Sequence, residues 1–422
     1  MEIFEDYIGK HCNYLTFIEE YPSSKLKNII VIPCCNEPEL IKTIDSLRNC
    51  IKPQFHVEVI VVLNSSVDSE NEVIVQNKIT KKEIHEWAQK YNQEILKVYL
   101  IELENLPAKI AGVGYARKTG MDEAVRRYII SEEKNGIICG LDADSIVDEN
   151  YLIEIEKLFL SDKECNGCSI YFEHPITGNQ FSEEIYRRII EYELFLRYYK
   201  LALQYIEFPH YHFTVGSSFA VSSNIYCKAG GMNKRKAGED FYFLQKVMPH
   251  GNYYALNTTC VHPSCRPSDR VPFGTGAFIS QYIDTPDKAF LTYNFKAFLN
   301  LKEFFNDIGL FYKTDNELIK KINLKYHSSL INFLELNNFQ EALNSINSNT
   351  STMSNFKKRF FLWFDAFRIL KYLNFVHQHY YKKELVIESL RSYLFHVNRL
   401  TELHLDEREL LIQLRNIEKT SS

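Results

Sequence analysis

The stretch Gly136-Ile-Ile-Cys-Gly-Leu-Asp-Ala-Asp144 passes without a break from an apolar run to a pair of carboxylates. Short apolar runs of the same kind stand upstream at residues 28–33, 56–63 and 96–103. Their near-continuous apolarity, in place of strict alternation, is the mark of strands buried on both faces. Between them, residues 37–49, 81–93 and 112–133 space their apolar side chains as helices do. Strand alternating with helix predicts an α/β fold with a mainly parallel sheet flanked by helices. In such sheets ligands bind beyond the carboxyl ends of the strands, so the residues following each strand are where chemistry is expected.

Downstream the order loosens. A strand is predicted at 169–172, a long helix at 182–205, a Gly-Ser-containing strand at 213–222, a helix opening at Glu239 and a strand at 253–261. Past residue 281 only helical signals remain, broken by the Asn/Ser-rich stretch 344–355. Lys plus Arg number 49 against 54 Asp plus Glu, a net charge of −5. That balance lacks the basic footprint of a nucleic-acid binder. The charge is uneven: residues 301–422 are about +3 and the first 300 about −8. Ten cysteines in 422 residues are too few for a disulfide scaffold. Cys165-Asn-Gly-Cys168 has ligand-like spacing but no second pair at zinc-site distance, so it reads as two small residues of a strand or turn. The acidic start Met1-Glu-Ile-Phe-Glu-Asp carries no signal peptide, and no apolar run reaches membrane-span length. A cytoplasmic protein is the expectation.

Asp142 and Asp144 close the fourth strand. In an extended chain residues i and i+2 share a side, so both carboxylates face one site. Paired there they repel unless a cation joins them, and hard oxygen ligands suit Mg²⁺ or Mn²⁺ held together with substrate phosphates. A solvated Asp-rich turn is the alternative. Further motifs surround the pair in order: Ile30-Val-Ile-Pro33 with Asn36-Glu37, Val61-Val-Leu-Asn-Ser-Ser66, Gly114-Tyr-Ala-Arg117-Lys118, Val215-Gly-Ser-Ser218, Gly230-Gly231 and Gly238-Glu-Asp240. This series resembles the family 2 glycosyltransferases, inverting enzymes of the GT-A fold that use nucleotide sugars, over roughly residues 28–280.

The resemblance implies a catalytic domain at 1–281, with a nucleotide-sugar-binding half at 28–150 and an acceptor and catalytic half at 151–281, followed by a helical domain at 282–422. It implies that Pro33, Asn36, Glu37, Asn64, Arg117 and Asp142 line the nucleotide sugar and that Asp142 and Asp144 hold the metal, with His262 as a third ligand. It also implies that Asp240, with Glu239 beside it, supplies the base. Asn64 stands where the family often has a base-reading Asp; its amide both donates and accepts, so a uracil edge and a UDP-sugar are favoured. Arg266 and Arg270 suit bidentate contacts to phosphate. For His262 a hydrogen-bonded loop histidine is the competing reading, and for Glu239-Asp240 a favourable helix start. The expected reaction moves a sugar onto a glycan or glycolipid hydroxyl; a catalytically silent nucleotide-sugar-binding or scaffolding relative is the alternative. The aromatic, basic stretch 356–371 fits either peripheral contact with the inner face of a membrane or a core-facing helix or dimer contact.

Overall fold

β1 (Leu26–Cys34) is buried along its whole length, as expected of a strand with parallel neighbours on both edges and helices on both faces. It pairs in parallel with β2 (His56–Ser66) and with β4 (Ile137–Gly140), and β2 pairs in parallel with β3 (Leu96–Leu106). β7 (Phe219–Ser222) then runs antiparallel between β4 and β6 (Gly167–Phe172). β8 (Tyr253–His262) pairs in parallel with β6 and antiparallel with the two-residue β5 (Ile146–Val147). The result is an eight-stranded sheet in the order β3-β2-β1-β4-β7-β6-β8-β5. The computed structural model describes residues 1–12, 16–268, 270, 274–283, 285, 288–314, 316–399, 402 and 404–420.

The helices, in chain order, are α1 (Glu2–His11), α2 (Leu40–Arg48), α3 (Asn71–Tyr91), α4 (Val113–Ile130), α5 (Tyr151–Ser161), α6 (Glu183–Tyr205), α7 (Ser223–Lys228), α8 (Glu239–Val247) and α9 (Thr275–Ile283). By compactness the chain falls into two units. The first comprises Met1–Tyr186, Thr214–Gln281 and Arg415–Ser422; the second comprises Arg187–Phe213 and Tyr282–Leu414.

In the first unit α4 is buried nearly all round, which its many charges permit only because they are paired. Arg127 forms a two-pronged ion pair with Glu58 of β2. Lys118 lies 2.8 Å from Asp122, whose Oδ1 accepts from the Tyr7 and Tyr226 hydroxyls at 2.7 Å each. Thus α1, α4 and α7 share one buried polar knot inside an apolar cluster that includes Phe4, Val31, Val62 and Phe243.

Three expectations differ. α3 begins at Asn71, ten residues before the apolar spacing of 81–93 announces it, because its first turns bury Asn77 and Thr80 and leave Val75 and Ile79 exposed. Residues 213–218 are not strand: the Ser218 N–H bonds the Val215 carbonyl at 3.0 Å, folding Val215-Gly-Ser-Ser218 into a turn ahead of a four-residue β7. The extended reading of Asp142-Ala-Asp144 is likewise corrected. The Ser145 N–H closes on the Asp142 carbonyl at 3.1 Å, so the two carboxylates sit on a turn and not on a strand.

The second unit is helical apart from one antiparallel pair of two-residue strands, β9 (Leu291–Thr292) and β10 (Glu384–Leu385). Its remaining helices are α10 (Phe295–Asn306), α11 (Asn316–Asn323), α12 (Ser328–Leu336), α13 (Phe339–Ser348), α14 (Met353–Trp363), α15 (Ala366–His379), α16 (Val386–His396) and α17 (Glu407–Thr420). Phe304 is fully buried and meets the rings of Phe311, Phe339, Phe360 and Phe364 at 5.5–5.7 Å between centroids. The stretch 356–371 is therefore two helices rather than one. Asp365 caps the second by accepting from the Arg368 N–H at 2.9 Å. Phe356, Phe360, Phe364 and Ile369 point into the unit while Lys357, Lys358 and Arg359 are exposed. No described helix is long and apolar enough to cross a membrane.

Candidate active site

The candidate site is built around Arg117, 1% exposed on the first turns of α4. Its Nη2 donates to Asp142 Oδ1 at 2.7 Å, its Nη1 to the Gly216 carbonyl at 2.6 Å and its Nε to Glu239 Oε1 at 3.2 Å. One guanidinium thus ties together the turn after β4, the turn before β7 and the start of α8, three segments far apart in sequence. A planar fork with five donors does this where a lysine ammonium would not.

Asp240 follows Glu239 on α8. Its Oδ1 accepts its neighbour's Phe241 N–H at 2.7 Å. Its Oδ2 lies against Gly216, where a methyl group would stand 3.1 Å from Oδ2 and 2.8 Å from Arg117 Nη2. Burial, and then the like charge of Glu239, push the Asp240 carboxyl well above the usual carboxylate range, with Arg117 only partly offsetting them. Glu239 is raised by burial as well, opposed by Arg117. The two acids are therefore not equivalent: Glu239 is engaged by Arg117, and Asp240 presents an oxygen to the space beside Gly216.

Asp144 has a different environment. Burial, together with the like charges of Asp142 and Glu37, pushes its carboxyl up to about 6, and Arg270 and Arg266 act the other way. Glu37 is completely buried at its side chain and receives Arg266 in a two-pronged ion pair; Arg270 Nη1 reaches it at 3.3 Å. Arg270 also donates to the Cys35 carbonyl at 2.9 Å and approaches Asp144 at 3.8 Å. The loop after β8 is thus brought back over the carboxyl ends of β1 and β4. Across the whole cluster Asp142, Asp144, Glu37, Glu239 and Asp240 face the three guanidiniums of Arg117, Arg266 and Arg270. The acids outnumber the bases by two, which is the charge deficit a divalent cation would fill, and the oxygen-only donors of Asp142 and Asp144 are of the hard type.

The remaining residues singled out from sequence divide. Pro33 sits within buried β1, paired with Val62. Asn36 adopts a left-handed φ of 51° and its N–H bonds Asn77 Oδ1 at 2.9 Å. Asn64 is buried and donates to the Cys34 carbonyl at 3.1 Å, while Asn77 donates to the Asn64 carbonyl at 3.1 Å. Asn77 is thereby the hinge pin between the ends of β1 and β2, and its lack of any motif context hid it in the sequence. His262 at the end of β8 has Nε2 2.8 Å from Asp148 Oδ1 and Nδ1 3.9 Å from Cys260 Sγ. Those three are the group of potential metal ligands found together among the described residues, and it does not include Asp142 or Asp144. Cys165 and Cys168 are buried in and beside β6, as small core residues.

Residues 29–228, just under half the chain, match the family model described as Glycosyl transferase family 2. This segment is a family 2 glycosyltransferase domain. The glycosyltransferase domain carries Glu37, Arg117, Asp142 and Asp144, while Asp240, Arg266 and Arg270 lie just beyond the matched segment on α8 and the loop after β8. No curated protein matches the chain. Solved structures overlap it loosely. A crystal structure of S. aureus TarS residues 1–349 is 12% identical at a TM-score of 0.37, covering 94% of this chain and 91% of that one. The same protein in complex with UDP-GlcNAc is 14% identical at 0.38 with the same coverage.

Proposed function

We propose that the glycosyltransferase domain transfers a sugar from a nucleoside diphosphate sugar, UDP-linked, to a hydroxyl of a glycan or glycolipid with inversion, using Mn²⁺ or Mg²⁺. The observation that carries this reading is the asymmetry around Arg117: Glu239 and Asp142 are held by the guanidinium, while Asp240 keeps one oxygen beside Gly216 and a carboxyl whose proton affinity is raised by burial. A base of raised affinity is the kind needed to take a proton from a hydroxyl as that oxygen attacks. Asp240 accepts that proton. Arg117 fixes the angle between the α8 start and the turn carrying Asp142. Asp144 and Asp142 would hold the cation, whose chemistry is Lewis-acid stabilisation of the departing diphosphate. Arg266 and Arg270, now on Glu37, are placed to share their guanidiniums with phosphate oxygens, which match the fork as well as a carboxylate does.

Thermal-shift titration of the full chain with UDP, GDP and dTDP, each with and without Mn²⁺, tests the donor half. The expected result is stabilisation by UDP that needs the metal. Stabilisation by GDP alone would overturn the base assignment, and equal stabilisation with and without metal would overturn the role given to Asp144.

A further inference from the structure

Residues Asn233-Lys-Arg-Lys236 lead directly into Gly238-Glu-Asp240, and Lys234, Arg235 and Lys236 are all exposed. Along α4 and around the site cations are spent on acids: Arg117, Lys118, Arg126, Arg127, Arg266 and Arg270 each have a carboxylate partner. Among the described residues no ion pair involves any of the three loop cations. They are held in place by other means. The Arg235 guanidinium lies 3.6 Å over the Tyr242 ring and the Lys234 ammonium 5.6 Å over Tyr115. Asn233 donates to the Glu239 carbonyl at 2.8 Å and accepts from the Arg235 N–H at 3.1 Å.

The loop is also pinned to the start of α4. A methyl group at Gly114 would meet the Arg235 carbonyl at 2.1 Å, and one at Gly112 would meet Lys236 Cγ at 3.4 Å. α4 begins here without a side-chain cap and with no acid in its first turn, so its first N–H groups and the positive end of its dipole add to the field of the loop. An ordered run of three cations with no acid partner among the described residues, lying against the uncapped start of α4, is a place for an oxyanion.

We infer that this loop binds a negative charge on the acceptor, and that the acceptor is an anionic glycan bearing carboxylate or phosphate on or next to the sugar that receives the transferred residue. The inference rests on the proposed role of Asp240: a loop joined to the helix that carries the base meets the molecule that gives up the proton. The donor diphosphate has its own cations in Arg266 and Arg270, on a different segment. Exposed charge at this position selects and steers an incoming partner more than it tightens binding overall, so the effect is read as a preference for anionic over neutral glycan and in its salt dependence.

The test compares binding of the full chain to three octasaccharides: hyaluronan with carboxylates, a phosphomannan with phosphates, and neutral chito-octaose. Each is measured at low and at high salt, with UDP affinity in parallel. An anionic octasaccharide is expected to bind about tenfold tighter than the neutral one at low salt, a preference that shrinks as salt rises. The combined Lys234→Gln, Arg235→Gln and Lys236→Gln variant should lose the preference and keep its UDP affinity. Equal binding of all three glycans by the unaltered chain would overturn the inference. So would a variant that loses UDP affinity but not glycan preference, which would give the loop to the donor. Capture on phosphatidylglycerol vesicles without discrimination among glycans would overturn it in favour of a membrane surface. Absence of UDP binding in the unaltered chain is instead the failure of the transferase reading, and the glycan comparison then still decides the loop.

Discussion

At the scale of single residues, two acids of the site carry opposite consequences of the same burial. As the proposed base Asp240 must be ionised to act, and its carboxyl is raised, so transfer should fall as pH drops through a value above the ordinary carboxylate range. Asp240→Asn removes the acceptor oxygen while keeping the shape. Transfer is expected to fall by at least about 10²-fold with donor binding retained, checked by a transfer assay beside calorimetry with UDP and Mn²⁺; full activity would remove Asp240 from the mechanism. Asp144, raised to about 6, acts on stability. A folded-state carboxyl above its unfolded value contributes stability that is fully present below the unfolded value, near 3.8, and is lost as pH rises toward 6. Ionised Asp144 without a cation is therefore a burden at pH 8. Asp144→Asn should stabilise the metal-free chain there by about 2–3 kcal/mol, a gain that vanishes below pH 4. Denaturation in EDTA at both pH values measures it, and Mn²⁺ should then stabilise the original chain but not the variant.

At the scale of elements, the turn before β7 is the most sensitive. A methyl at Gly216 would intrude on both Arg117 and Asp240, so Gly216→Ala should cost about 1–3 kcal/mol of stability and on the order of 10²-fold in kcat through misplacement of the proposed base. Urea denaturation and kinetics together test it; unchanged kcat would show that the guanidinium moves aside freely. In the helical unit the same logic runs through volume. Phe304→Ala empties the centre of a ring cluster and should cost about 3–5 kcal/mol, read from the shift in denaturant midpoint.

Elements also mark how far the sequence could be read. Buried parallel strands show themselves in the unbroken apolar runs Ile29–Cys34 of β1 and Val59–Leu63 of β2, and the acids at the strand ends stand out against them. Arg117 as a three-way tie was not legible, because its partners at 142, 216 and 239 are joined only by the fold. The turn at 215–218 imitates a strand in composition, and its departure from one is set by where Arg117 needs a carbonyl. Lys234-Arg-Lys236 stands among no motif in the sequence, and its lack of acid partners among the described residues is a property of the folded surface alone.

At the scale of the whole molecule, the path of the chain is not one unit after the other. The unit border between Gln281 and Tyr282 is crossed again at Leu414, after which residues 415–420 belong with the sheet. There Arg415 Nη2 donates to the His174 carbonyl at 2.8 Å and Lys419 lies 2.6 Å from Glu173. Removing residues 415–422 should therefore loosen the end of β6 rather than the helices before it, by about 1–3 kcal/mol. Hydrogen exchange reports this directly: faster exchange confined to residues 167–175 is expected, and an unchanged pattern there would show that the last turns add nothing to the sheet.

That return path also sets a schedule during synthesis. Nascent chains fold domain by domain as they emerge, but here the sheet's last contacts wait until everything between 282 and 414 has been translated. At about 5–20 residues per second, translating residues 282–414 takes roughly 7–27 seconds, during which the nearly formed sheet waits for Arg415 and Lys419, and slow codons there would lengthen that wait without altering a single residue.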